Sequence, residues 1–206
     1  MSEKIRFGNE ESSLIADKVF FERKREVSRK IRTTFSQIRD ELRTSMTPER
    51  YLAPEGVDFT QGKLSGGEKH YDLPYLYLDF PRRFTKEYTF AYRSLFWWGH
   101  HFLFTLILAG ALLPDYRKRV LSGWDRLAAR GDHIAVTDDP WEWRKGDQFF
   151  RLIRSADTES LEKTTFELPI LKLVHFVPFD DQRLEEGLLA RTGVDTFRDW
   201  EFVFLR

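Results

Sequence analysis

LPYLYLDFPRRFTKEYTFAYRSLFWWGHHFLFTLILA, residues 73–109, decides the fold of this chain. Its first eight residues alternate. Tyr75, Tyr77 and Asp79 fall on one face of a strand, and Leu76, Leu78 and Phe80 on the other. Pro74 marks a strand end or an edge, and Pro81 is expected to close the strand. Residues 85–98 fit two periods: period 2 selects Tyr88, Phe90, Tyr92, Phe96 and Trp98, whereas a helix selects Tyr88, Ala91, Leu95 and Trp98. Aromatic side chains favour a pleated surface, so the strand is preferred. Gly99 then supplies a hairpin turn or a bulge before a further strand over 101–109. Adjacent strands of this kind make an antiparallel sheet with one very aromatic face.

Outward toward the N-terminus, residues 17–45 read as a helix. Val27, Ile31, Phe35, Ile38 and Leu42 form one apolar stripe, and Arg23, Lys24, Arg25, Arg29, Lys30 and Arg32 lie on other faces. The first dozen residues read as loose chain. Thr47-Pro48 starts a short helix that the turn at Pro54-Glu55-Gly56 ends, and residues 62–67 read as a flexible loop. Outward toward the C-terminus, a single helix is predicted over 114–129. Short strands are predicted over 133–137, 141–144 and 148–153, with a connector or short helix over 155–163. A strand follows over 169–177, then a helix capped by Asp180 or Asp181 and ending before Gly193, and a last strand over 197–204. The fold class is α+β: a mainly antiparallel sheet packed with helices, one of them a long amphipathic N-terminal helix. Residues 1–206 are expected to form a single globular domain with a helical arm at about 15–46.

Charge and composition exclude several classes. The chain has 206 residues with 33 basic and 33 acidic side chains, so it is not basic all over, although a local basic patch stays open. It has no cysteine, which removes disulfides, thiol nucleophiles and cysteine metal sites. A reducing cytoplasm suits that absence, and the N-terminus has no apolar core of a secretory signal. No glycine-rich dinucleotide fingerprint, phosphate-binding glycine–lysine loop, Gly-x-Ser-x-Gly elbow or His-Glu-x-x-His motif occurs. Residues 94–114 lack Asp, Glu, Lys and Arg and reach the length of a membrane-spanning helix. The shared phase of Phe96, Trp98, Phe102, Phe104, Leu106 and Leu108, together with the breaks at Gly99 and Gly110, favours a buried strand and turn.

The unusual number is aromatic content, 16%, much of it between His70 and Phe104. Such rings either fill a core or line a groove for a small ligand or peptide. Arg93 sits among apolar neighbours and needs a partner. It is either an anion-binding residue near Tyr75 or Tyr77, or half of a structural pair with Asp79. Trp97 and Trp98 face opposite ways, which leaves Trp98 as the groove candidate. Glu68 and His70 share a face if extended, and with Asp79 they are the acid–base candidates. No metal site and no cofactor is assigned.

The segment 67–110 also resembles a family of uncharacterised soluble bacterial proteins of Bacteroidetes type. The shared pattern comprises Gly67, Glu68 and Tyr71, then Leu73-Pro74-Tyr75, Asp79-Phe80-Pro81-Arg82 and Phe96-Trp97-Trp98-Gly99. It departs at His100 and His101 and in the spacing after Glu68. The resemblance implies a shared site region and no reaction. The leading expectation is a non-enzymatic protein that binds a small ligand or peptide in an aromatic-lined groove. Arg93, Asp79, Tyr75, Tyr77, Trp98, Glu68 and His70 are its candidate residues. The alternatives are a nucleic-acid-associated protein using the basic helix, and a hydrolase or transferase with a site near Glu68, His70 and Asp79. A second copy of the chain is a further partner to consider.

Overall fold

Among the described residues, seven strands form one sheet in the order β1-β2-β3-β4-β7-β5-β6, every neighbouring pair antiparallel. The structure, a computed structural model, describes residues 4–157, 163 and 165–206. The strands are β1 (Lys63–His70), β2 (Leu73–Phe84), β3 (Thr89–Trp97), β4 (His101–Ala109), β5 (His133–Ala135), β6 (Phe150–Leu152) and β7 (Ile170–Val177). The helices are α1 (Asn9–Ala16), α2 (Lys18–Ser45), α3 (Leu113–Ser122), α4 (Trp124–Arg130), α5 (Gln182–Glu185) and α6 (Leu189–Trp200). No helix among the described residues is long and apolar enough to cross a membrane. The uncharged run 94–114 is the end of β3, the Gly99 turn, β4 and the start of α3.

Strands β3 and β4 are buried on both faces, which is why they read as continuous apolar runs rather than as clean alternation. One face carries Leu76, Leu78, Tyr92, Phe104 and Leu106 into the main core, where α2 and α6 cover them. The α2 side of that core is the stripe Ile31, Phe35, Ile38 and Leu42. Asp17 starts α2 by accepting a hydrogen bond from the backbone N–H of Phe20. The other face carries Leu95, Trp97, Leu103, Val174 and Phe176 into a smaller core. Trp143, from the segment between β5 and β6, closes that side.

Several elements differ from the sequence expectation. Residues 63–67 of the expected loop 62–67 belong to edge strand β1, and β2 runs through Pro81 to Phe84 with a register shift between Asp79 and Arg82. The predicted helix 114–129 is two helices, broken where the Gly123 backbone leaves the helical region at φ −107° and ψ 17°, and the Phe202 ring fills the space where a side chain at Gly123 would stand. Residues 141–144 form no strand. The first dozen residues, read as loose, include the start of α1, which runs over Asn9–Ala16. The connector over 155–163 begins as a single 3-10 turn, and most of its remainder lies outside the described residues. The predicted strand 197–204 is the end of α6 and a 3-10 turn.

Helix α6 also runs through Gly193 instead of ending before it. A Cβ at Gly193 would stand 2.6 Å from both Ile38 Cδ1 and Phe104 Cε1, so glycine lets α6 settle between α2 and the sheet. The Tyr92 hydroxyl donates to the Gly193 carbonyl at 2.5 Å. Gly193→Ala gains about 1 kcal/mol of helix propensity. Overpacking of about 1–3 kcal/mol opposes it and wins, because the clash falls on core side chains. A lower urea midpoint at unchanged m-value is the expected result, and an unchanged or higher midpoint would refute this account.

Candidate functional site

The register of the sheet sets the candidate residues in rows. Asp79, Arg93, Thr105 and Val174 lie opposite one another across β2, β3, β4 and β7. Arg93 donates to both oxygens of Asp79, from Nε at 2.6 Å and from Nη2 at 2.9 Å. The two side chains are 1% and 3% exposed. The guanidinium lies between the Tyr77 ring at 4.6 Å and the Trp141 ring at 4.4 Å. Arg93 Nη1, Thr105 Oγ1 and Trp143 Nε1 are buried there without hydrogen-bond partners.

Lys172 reaches the same layer from β7. Its ammonium donates to the carbonyls of Pro140 at 3.0 Å and Glu142 at 2.6 Å, tying the 136–149 segment to the sheet. Burial, assisted by the neighbouring Arg93 charge, pushes its pKa down to about 7. His70 lies against Trp143 with ring centroids 3.7 Å apart, and burial lowers its pKa. His101 Nε2 sits 3.0 Å from the Trp143 carbonyl, and burial takes its pKa down to about 4. This face therefore holds a closed layer of rings around a buried ion pair, and its imidazoles are held toward the neutral form.

The acid–base candidates do not converge. Glu68 is exposed and pairs with Lys24 at 3.0 Å. His70 stands opposite Leu73 in the β1–β2 register, whereas Lys63 stands opposite Asp79. Six strand residues therefore separate His70 from Asp79, roughly 20 Å at the usual rise. Among the described residues no group of three or more His, Asp or Glu is placed to hold a metal ion.

The basic candidates are spread around α2. Arg25, Arg29 and Arg32 follow one another at i, i+4 and i+7 and are exposed. Arg23 and Lys30 are exposed on another flank, Lys30 beside Glu26 at 3.4 Å. Lys24 is tied to Glu68.

Trp98 lies on the opposite face of the sheet from Tyr75, Tyr77, Asp79 and Arg93. There it lines an apolar groove of about 310 Å³ together with Phe96, Phe102, Phe179, Leu184 and the Val27–Ile31 turn of α2. The rings form a continuous wall: Phe96 is 5.1 Å from Trp98, 4.8 Å from Phe102 and 5.7 Å from Phe179. Tyr75 and Tyr77 are half-buried on the other side, stacked on each other at 6.2 Å. The aromatic candidates thus divide between a closed layer around Arg93 and an open groove around Trp98.

One cluster had no sequence signal. Asp132, fully buried, accepts from His175 Nδ1 at 2.9 Å and from Trp200 Nε1 at 2.8 Å. These residues come from the start of β5, from β7 and from the end of α6, and no local spacing links them. Comparison with protein families, with curated proteins and with solved structures finds no match.

Proposed function

We propose that this protein is a non-enzymatic interaction module whose aromatic groove around Trp98 takes an apolar helical segment, and that the occupant is the N-terminal arm of a second copy. The open aromatic wall beside an unpartnered helix carries this reading. The buried stripe of α2 begins at Ile31, but its phase continues outward through Val27 and Phe20, which are 38% and 44% exposed. Ile5, Phe7, Leu14, Ile15, Val19 and Phe21 are exposed on the same arm, and α1 buries nothing. With an aromatic side chain presenting 150–250 Å², the arm carries on the order of 800 Å² of apolar surface, about what each partner gives to a standard interface.

The part of the arm before Val27 extends away from the groove of its own chain. Val27 already lines that groove, and α2 continues outward from it as unbroken helix, which carries Phe20 about 10 Å further along the axis. Charge also favours a second copy. The groove residues Phe179 and Leu184 have the exposed acids Asp180 and Glu185 as chain neighbours, followed by Glu186, while the outer half of α2 carries Arg23, Arg25 and Arg29. A two-fold arrangement lets these arginines of each copy meet those acids of the other.

The test is a labelled peptide of residues 4–27 titrated against the full chain, with sedimentation of the chain alone. Saturable peptide binding and a concentration-dependent dimer are expected. Phe179→Asp, at an exposed position, should weaken the peptide by at least about tenfold, or about 1.4 kcal/mol. A chain that stays monomeric at high concentration and ignores the peptide would overturn the reading.

A further inference from the structure

Beyond the groove, the same side of the molecule holds a cavity of about 510 Å³, a size typical of small-molecule sites. Arg130, Arg183, Arg191 and Arg198 line it, with Asp195 and Asp199 as the acids in its wall. The wall itself carries four guanidinium groups and two carboxylates. Three of the arginines also take partners outside the lining. Arg130 donates to Asp132 at 3.2 Å, Arg183 donates to Asp181 at 2.8 and 2.6 Å, and Arg198 donates to Glu41 at 3.1 Å. Those partners orient the cations without placing their own carboxylates in the cavity wall.

Arg130 and Arg183 are the two best-held of these arginines. Arg130 uses Nε on Asp132, Nη1 on Asp199 and Nη2 on the Thr196 hydroxyl. Arg183 uses Nε and Nη2 on Asp181, and its Nη1 lies 3.5 Å from His175 Nε2. The Asp132 carboxylate accepts from His175 Nδ1, which leaves the lone pair of Nε2 facing Arg183. A guanidinium has five N–H donors, so each of these two arginines keeps two for a ligand. The Arg183 hydrogen bonds hold the Asp181 carboxyl down at about 2. At the mouth, the first turn of α6 has no side-chain cap and no acid, and Thr192 adds a hydroxyl to the lining.

We infer that this cavity binds a small phosphorylated molecule, its phosphoryl group held by Arg130 and Arg183. A phosphomonoester carries about −1.5 to −2 charge near neutral pH and accepts from the N–H groups that the carboxylate partners of Arg130 and Arg183 leave free. Its three terminal oxygens accept from paired N–H groups in the forked geometry that guanidinium supplies. A recess of about 510 Å³ matches the size of a small phosphorylated molecule. Asp132 and His175 are positioning residues here, because they act on the ligand only through Arg130 and Arg183.

The experiment is calorimetric titration of the full chain at constant ionic strength with phenyl phosphate, then with inorganic phosphate as competitor. Saturable phenyl phosphate binding displaced by phosphate is expected. Arg183→Gln should weaken it by about tenfold or more, as expected for a charge-assisted bidentate contact. Arg191→Gln, whose side chain is 78% exposed and so should leave the fold intact, should weaken it by a smaller factor. No saturable binding up to about 10 mM, where affinity falls below roughly 3 kcal/mol, would overturn the inference. So would binding that Arg183→Gln and Arg191→Gln leave unchanged. A short oligonucleotide that binds in a salt-dependent way and is lost in both variants, with phenyl phosphate inert, would overturn it in favour of nucleic-acid phosphates.

Discussion

Asp79→Ala is expected to lower the unfolding free energy by about 3–5 kcal/mol, the cost of leaving a buried partner charge uncompensated. Arg93 would stay between Tyr77 and Trp141, with its only carboxylate gone and Nη1 already without a partner. A loss of that size is a large part of the 5–15 kcal/mol that holds a typical domain together. The double variant Asp79→Leu/Arg93→Met should recover most of it, because two apolar groups of similar size remove the desolvation cost altogether. Urea unfolding of the single and double variants decides the matter. A single variant costing less than about 1 kcal/mol would mean that the pair behaves like a surface salt bridge and that the layer above it is open to water.

The second large effect concerns pH. Lys172 has its pKa taken from 10.5 to about 7 in the folded chain, first by burial and then by Arg93. Between those values the unfolded chain binds the proton and the folded chain releases it. Stability therefore rises with pH across that interval. Below pH 7 both states are protonated and the full penalty of a buried ammonium remains. The clean window is about pH 7 to 9.5, since Tyr92 is raised by burial and stability begins to fall once unfolded tyrosines ionise near pH 10. On the acid side His101, lowered to about 4 by burial, removes stability as pH falls from 6.5 toward 4. Thermal unfolding from pH 7 to 9.5 should show a rising midpoint in the wild type and a flatter one in Lys172→Met. Equal slopes in the two proteins would show that Lys172 stays charged and hydrated.

Strands β2, β3 and β4 were legible because they follow one another through short turns, so their pairing is local and their alternation is printed in consecutive residues. Edge strand β1 was not. It pairs on one side only, and Gly66 and Gly67 give it little apolar signal. The absent side chain of Gly67 leaves room for the Tyr75 ring, which a Cβ there would meet at 2.8 Å. The C-terminal helix was misread for a related reason. Gly193 looks like a helix terminator in sequence, while in space it is a point of close approach. The partnership of Asp79 with Arg93 was readable because strand phase puts both on one face beside apolar neighbours. Asp132, His175, Arg130 and Arg183 were unreadable as a group. Their meeting depends on β7 entering the sheet beside β5 and on α6 crossing above it, and neither fact is local.

The position of β7 has a consequence for how the chain is made. β7 is the last strand to leave the ribosome, yet it stands between β4 and β5. Until residue 177 has emerged, the β1–β4 meander can zip up by neighbouring contacts, but the β5–β6 hairpin has no strand to attach to. During that interval the free margin of β4 presents the sequence FLFTLILA to the surrounding solution. Nascent chains of this protein thus pass through a stage with an unpaired apolar edge, the kind of surface that chaperones cover and that pairs readily with other chains. The arrival of one eight-residue strand ends that exposure.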